Sequence, residues 1–437
     1  MFLSVFDMFK VGIGPSSSHT MGPMVAAGMF LDLLRASPFE AAGLKARLHG
    51  SLAFTGVGHA TDRATLLGLA GFSPETYDAA KAEDTLEAMK RTKVVSPEGL
   101  GTLSLDPASD IAFDFGPSLP GHTNGMILMA TDAQGDVILQ QTYYSIGGGF
   151  VVTAEEMASG VSTGDMDPYP HEFNTANELL ALCAAQGKSI AQIKRENELS
   201  RRCAAALDCG LAKIWDVMND CINRGLERGG ILPGGLNVKR RAKPIHEALV
   251  AERGLNMPAP HTINDWMSVY AMAVNEENAA GGQVVTAPTN GAAGVVPATL
   301  RYWLDHVPGA TARRIPEFLL TAAAIGGLIK FNASISGAEC GCRGGQRFGH
   351  GRCRSLRRLG RQPRAGGKRR RNSLRASPGH DLRPCQRPGA SALYRAQWSR
   401  LYQSGLRRQP VDARRWHAFG IARCLRRNNA ANRSGHA

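Results

Sequence analysis

Acidic residues are almost missing from the end of this 437-residue chain: between Cys340 and Ala437 only Asp381 and Asp412 stand against 24 arginines and Lys368. An apolar run of bilayer length is missing altogether. The longest small and apolar stretches, such as Phe318 to Ile329, are too short to span a membrane, so no membrane partner is expected. The first 20 residues carry Asp7 and Lys10 in place of an unbroken apolar stretch and cleavage site, so a cytoplasmic protein is expected. Cysteine is sparse. Nine thiols in a chain of this size, an odd number, exclude a disulfide scaffold and point to reduced cysteines, some of them metal ligands. Cys183, Cys203, Cys209 and Cys221 fall in helix-like sequence and are expected to pack.

The net charge of +14 is divided unevenly. The stretch from Cys340 onward has a surplus of 23 positive charges, which leaves the first 339 residues at −9. Two different compositions are joined in one chain, and its length predicts two or three domains.

Residues 1–158 predict an α+β domain. Leu44 to Phe54, Ile111 to Phe115, Gly125 to Ala130 and Val137 to Tyr144 have strand character, with Asp132 to Asp136 as a hairpin turn. Helices over Met24 to Leu34 and Ala60 to Leu69 cover one face. Residues 159–171, rich in Gly, Ser, Asp and Pro, predict a linker. Residues 172–344 predict a mainly α-helical domain, with helices over Glu172 to Gln186, Ile190 to Leu207, Leu211 to Leu226, His261 to Glu277 and Glu317 to Ala333. Residues 345–437 form a basic tail without apolar periodicity and are expected to be disordered.

Five segments carry candidate chemistry. Gly14 to Thr20 places Ser16, Ser17, Ser18, His19 and Thr20 directly before a helix, where hydroxyls and free N–H groups suit a carboxylate; the plainer reading is an N-cap in a polar turn. Gly50 to Arg63 is a strand, a glycine-rich turn and a helix start. His59 lies there where a helix N-terminus favours neutral imidazole, the form a general base needs, or where it merely caps the turn. His122, in Gly121 to Gly125, is presented in the same way. Ala287 to Pro297 is a loop of small residues with Thr289 and Asn290 as polar groups. It lacks the ending of a P-loop and suits close backbone approach to a small ligand, or a tight helix–helix turn. Asn332 to Cys342 runs a helix into glycine and two thiols, as a cluster loop does.

In order and spacing, these segments, with Tyr144 to Gly149 and Ser334 to Glu339, resemble the single-chain iron–sulfur L-serine dehydratases of bacteria, over roughly Met1 to Gly344. The resemblance implies an N-terminal domain similar to an allosteric substrate-binding domain, a helical catalytic domain, and a homodimer. It also implies a [4Fe–4S] cluster held by three cysteines, one iron remaining open to polarise the hydroxyl of L-serine while a base removes the α-proton. By this likeness His59 is the base and His122 its helper. Ser16, Ser17, Ser18, His19, Thr20, Thr289 and Asn290 surround the substrate, and Cys342 matches the first cluster ligand.

Beyond Cys342 the sequence departs from the family. Two further cysteines, in contexts like T-C-D-P and V-P-C-I-E-R-N, are not written; arginine-rich runs such as Lys368 to Arg371 stand there. Back-translated with permitted codons and read one nucleotide later, Arg375 to Gln397 yields E-H-H-L-G-T-T-C-D-P-A-S-G-R-V-Q-V-P-C-I-E-R-N. Gln346 to Arg354 likewise permits a family-like run of small residues. Both point to a shift of reading frame near Gly344 to Gln346, and to an enzyme impaired for want of two ligands. Three other readings stay open: a serine-binding remnant without chemistry, a pyridoxal-phosphate dehydratase, and nucleic-acid binding through the arginines with Tyr394, Trp398, Tyr402 and Trp416. The acidic first part of the chain argues against specific nucleic-acid recognition.

Overall fold

The computed structural model describes residues 3–159, 168–253 and 262–332. Nine strands occur among them: β1 Val11–Ile13, β2 Gly43–His49, β3 Val94–Val95, β4 Leu103–Ser104, β5 Ile111–Asp114, β6 Gly125–Thr131, β7 Val137–Gly147, β8 Phe150–Thr153 and β9 Gln283–Val285. Seven form one mixed sheet in the order β3-β4-β2-β6-β7-β8, with β5 also on β2. β4 and β5 run parallel to β2, whereas β6 is antiparallel to it, Ala46 opposite Leu128. Alternation decides the faces: Leu44, Ala46 and Leu48 of β2 are buried with Met126, Leu128 and Ala130 of β6, while Arg47 and Gln140 stay in water. The Gly22–Ala36 and Thr61–Leu69 helices close this core through Met24, Phe30, Leu34 and Leu67. Each such fully buried side chain contributes about 1.5–3 kcal/mol, so Leu48→Asp, at the centre of the layer, would break it.

The sheet departs from expectation at Gly50. β2 ends at His49, and Ser51–Phe54 is a helical turn where the sequence predicted strand to Phe54. Gly50 adopts φ 54°, and a Cβ there would lie 2.4 Å from the Thr123 carbonyl oxygen, so the chain swings away beneath the 121–125 turn. The Ala79–Thr92 helix, capped by Asp78 accepting from the Ala80 and Lys81 N–H groups, was not predicted.

The remainder is helical. Thr175 and Ser189 form capping boxes with Glu178 and Gln192, starting the Ala176–Gln186 and Ile190–Leu199 helices. The predicted Ile190 to Leu207 helix is broken, because the Ser200 hydroxyl donates to the Asn197 carbonyl (2.8 Å) and unwinds the end. A 24-residue helix, Ala204–Glu227, follows. Its Leu207, Leu211, Ile214 and Met218 meet Leu319, Leu320 and Ala323 of the Ile315–Asn332 helix. Val295–His306 is a helix where a loop was predicted to Pro297; proline is tolerated because it lies in the first turn. Val5, Met8, Phe9 and Val11 also join this second core.

Two carboxylates are fully buried among these helices. Glu198 accepts from the Ser4 hydroxyl (2.8 Å) and the Val5 N–H (2.7 Å), and pairs with Lys194 (3.0 Å) and Arg202 (3.6 Å). Glu277 meets Arg240 at 2.8 Å, Arg228 at 3.1 Å and Arg224 at 3.4 Å. Among the described residues no helix is long and apolar enough to cross a membrane.

Candidate functional site

The site is assembled by a two-stranded pairing far apart in sequence. β1 lies antiparallel to β9, Val11 opposite Val285 and Ile13 opposite Gln283. The loop after β1, Gly14 to Ser16, is thereby set beside the loop after β9. Gly14 approaches the helical region so closely that a Cβ would overlap the Asn278 carbonyl oxygen at 1.8 Å, which leaves glycine as the residue that fits. Asn278 Nδ2 donates to the Pro15 carbonyl at 3.1 Å.

Ser16 caps the π-helical turn Ser17–Met21, accepting from the His19 N–H at 3.2 Å, and this turn runs directly into the Gly22–Ala36 helix. The first N–H groups of such a helix have no partner within it. His19 is held at both ring nitrogens, by Ser18 Oγ at 2.8 Å from Nδ1 and Ser51 Oγ at 2.9 Å from Nε2. Burial, followed by the proximity of His59 and His122, pushes its pKa down to about 4, so the imidazole is neutral near pH 7. The His59 ring lies 4.7 Å from that of His19. Its Nδ1 is 2.9 Å from the Thr55 carbonyl, an acceptor, so Nδ1 carries a proton and Nε2 is the ring nitrogen left to face a ligand. The Thr20 hydroxyl donates to the His59 carbonyl at 2.8 Å, fastening the two segments together. His122 Nδ1 accepts from the Asn124 N–H at 3.1 Å, which places the proton of neutral His122 on Nε2.

Asn290 enters from the other side. Its Nδ2 donates to the Ile13 carbonyl and to Asn278 Oδ1, both at 2.9 Å, which fixes the amide and turns its oxygen away from those partners. That Oδ1 is buried without a hydrogen bond, as are Asn124 Oδ1, Ser145 Oγ and Thr286 Oγ1. Thr289 is half-buried, and its carbonyl accepts from the Ala292 N–H at 3.2 Å.

Among the described residues no group of three or more His, Cys, Asp or Glu is arranged to hold a metal ion. Their four cysteines do not fit a cluster. Cys221 is buried, which pushes its thiol up to about 12, and Cys183 is raised by burial as well. Cys203 and Cys209 are exposed, which corrects the expectation that they pack: one is the N-cap of the 24-residue helix and the other lies on its solvent face. Cys342, Ser334 to Glu339, most of the linker and the arginine-rich tail lie outside the described residues.

The structure thus brings Ser16, Ser17, Ser18, His19, Thr20, His59 and His122 together with Asn290. Sequence reasoning missed Ser51, Thr55, Asn124, Ser145 and Asn278. Ser51 and Thr55 lie within the Gly50 to Arg63 segment, so a search of that motif for a second hydroxyl would have found them; Asn278 ends a helix and carries no local signal.

A sheet domain and a helical domain thus meet at a cluster of imidazoles, hydroxyls and amides around neutral His19. Residues 4–156 match the serine dehydratase beta chain family and residues 185–347 the serine dehydratase alpha chain family. The chain is 47% identical to an L-serine dehydratase of Streptomyces coelicolor over 346 residues, 79% of this chain and 75% of that one. It is 45% identical to the L-serine dehydratase TdcG of Escherichia coli over 345 residues, 78% and 75% of the two. The chain belongs to the serine dehydratase family, both of whose domains it carries.

Proposed function

We propose that this site binds L-serine for the ammonia-lyase reaction, loss of water to an aminoacrylate that hydrolyses to pyruvate and ammonium. The observation that carries the reading is neutral His19, 4.7 Å from the His59 ring, set just beyond the β1 strand whose Ile13 carbonyl holds Asn290. The first-turn N–H groups and hydroxyls of Ser16, Ser17 and Ser18 receive the carboxylate. The unpaired Oδ1 of Asn290 accepts from the ammonium group, with Thr289 beside it. His59 Nε2 takes the α-proton, its ring fixed through Nδ1 by the Thr55 carbonyl, and His122 Nε2 is the nearby donor. His19 holds Ser18 and Ser51 in register without charge.

A [4Fe–4S] cluster is the cofactor that the resemblance implies. The described residues do not fit it, and in the sequence only Cys342 stands in a ligand-like context, so no step is assigned to it here. The proposal is therefore a serine site joined to a C-terminal segment in a shifted frame: binding without turnover. Calorimetry with L-serine and a pyruvate assay on the same protein test both parts. Serine is expected to bind and pyruvate not to form until the frame after Gly344 is restored. Absence of serine binding refutes the site, and serine-dependent pyruvate from the chain as it stands refutes the impairment.

A further inference from the structure

A cavity of about 490 Å³ lies between the Gly22–Ala36 helix and the Ala204–Glu227 helix, with Met21 but not His19 in its lining. Phe6, Phe9, Met24, Met29, Phe72 and Ile214 give it an apolar wall. Its charged groups are Lys10, Lys213, Asp32 and Glu75. Asp32 is taken by Arg35 at 2.6 Å, whereas Lys10 has no carboxylate in ion-pair contact among the described residues.

Lys10 Nζ lies 3.4 Å from the centre of the Phe150 ring, and Lys330 Nζ lies 3.4 Å from the centre of the same ring. The two ammonium groups are therefore no further apart than twice that distance. One aromatic face attracts one cation well; it does not offset the desolvation and mutual repulsion of two. Asp7, the acid that acts on both lysines, already accepts from the Ser4 N–H at 3.1 Å. Burial and then the charge of Lys10 push Lys330 down to about 8, and burial lowers Lys10 as well. Neither lysine has a carboxylate in ion-pair contact among the described residues, and Lys10 stands at the wall of the cavity, where Glu75 acts on it only at longer range.

We infer that this cavity binds a small carboxylic acid with an apolar body, its carboxylate on Lys10 with Lys330 supplying the second positive charge, and its chain along the methionine and phenylalanine wall. The site is separate from the serine site, and Gly149, just before Phe150, lines it from the side of the Gly147–Gly149 turn. Gly28 offers a means of closing it. That glycine lines the cavity, and a Cβ on it meets nothing within 4 Å, so a larger residue there fills the space without disturbing the helix.

Calorimetric titration of the full chain at constant ionic strength with butyrate, acetate and butyramide tests this. Butyrate is expected to bind one equivalent about ten-fold more tightly than acetate, as two further buried methylenes dictate, and butyramide not to bind. Gly28→Leu is expected to abolish butyrate binding and Lys10→Met to weaken it at least ten-fold, both with serine binding retained as the control for folding. No butyrate binding, equal binding of butyramide, an unchanged isotherm in Gly28→Leu, or displacement of butyrate by L-serine would each overturn the inference.

Discussion

Glu277 and Asn290 are both buried polar groups of the helical region, and their surroundings are opposite. Glu277 has three guanidinium partners and Glu198 four donors, so each carboxylate is fully answered from within the protein. Around His19 the polar groups are hydroxyls, amides and imidazoles, and four buried oxygens, on Asn290, Asn124, Ser145 and Thr286, have no donor. A buried acceptor left unpaired costs about 1–3 kcal/mol, a cost the two carboxylates avoid. On the function proposed above, the difference separates polar groups that hold the fold from polar groups kept ready for a ligand.

The sharpest way to break that distinction is Glu277→Ala. Removing one partner leaves buried charge uncompensated, so stability in chemical denaturation should fall by about 3–5 kcal/mol. Serine affinity of the folded protein should stay within two-fold; a larger loss of affinity would mean that the arginine cluster belongs to the site.

Acid offers a second test. His19, with a folded pKa of about 4 against an ordinary 6.5, takes up its proton more readily when unfolded. Its contribution to stability is thus present above pH 6.5 and lost as pH falls toward 4, by up to about 3 kcal/mol. His19→Gln should flatten the stability profile over that window, and an unchanged profile would show that burial of this imidazole does not govern it.

Asn290→Ala sharpens the comparison from the other side. It removes two hydrogen bonds together with one unpaired oxygen, so stability should fall by only about 1–2 kcal/mol. Serine affinity measured by calorimetry should fall at least ten-fold. The smallest effect belongs to Arg195→Ala, which deletes a half-exposed pair with Asp208 (2.6 Å) and should cost less than about 1 kcal/mol in thermal unfolding, with serine binding unchanged.

The sequence made the continuous parts of this molecule legible. β-branched content and partial alternation located β2, β5, β6 and β7, since both are properties of the local run. Ser16 to Thr20 stood out because five polar residues in succession before a helix are informative without any tertiary contact. What stayed hidden depends on long-range placement. Nothing in Val11–Ile13 or Gln283–Val285 announces that they pair, and three-residue strands are too short for periodicity to act. The end of β2 was misjudged because a left-handed Gly50 looks like any glycine in a strand-like run. Asn278 and the shared ring of Phe150 could not be read at all, since each acquires its role from residues more than 100 positions away.

The pairing of β1 with β9 also sets an order of events during synthesis. Val11 leaves the ribosome early, yet its partner Val285 is joined to the chain some 270 residues later. At about 5–20 residues per second, that is a wait of roughly 14 to 55 seconds. Throughout it the sheet domain can be complete while its histidines still lack Asn290, so competence for the ligand is among the last properties the nascent polypeptide gains.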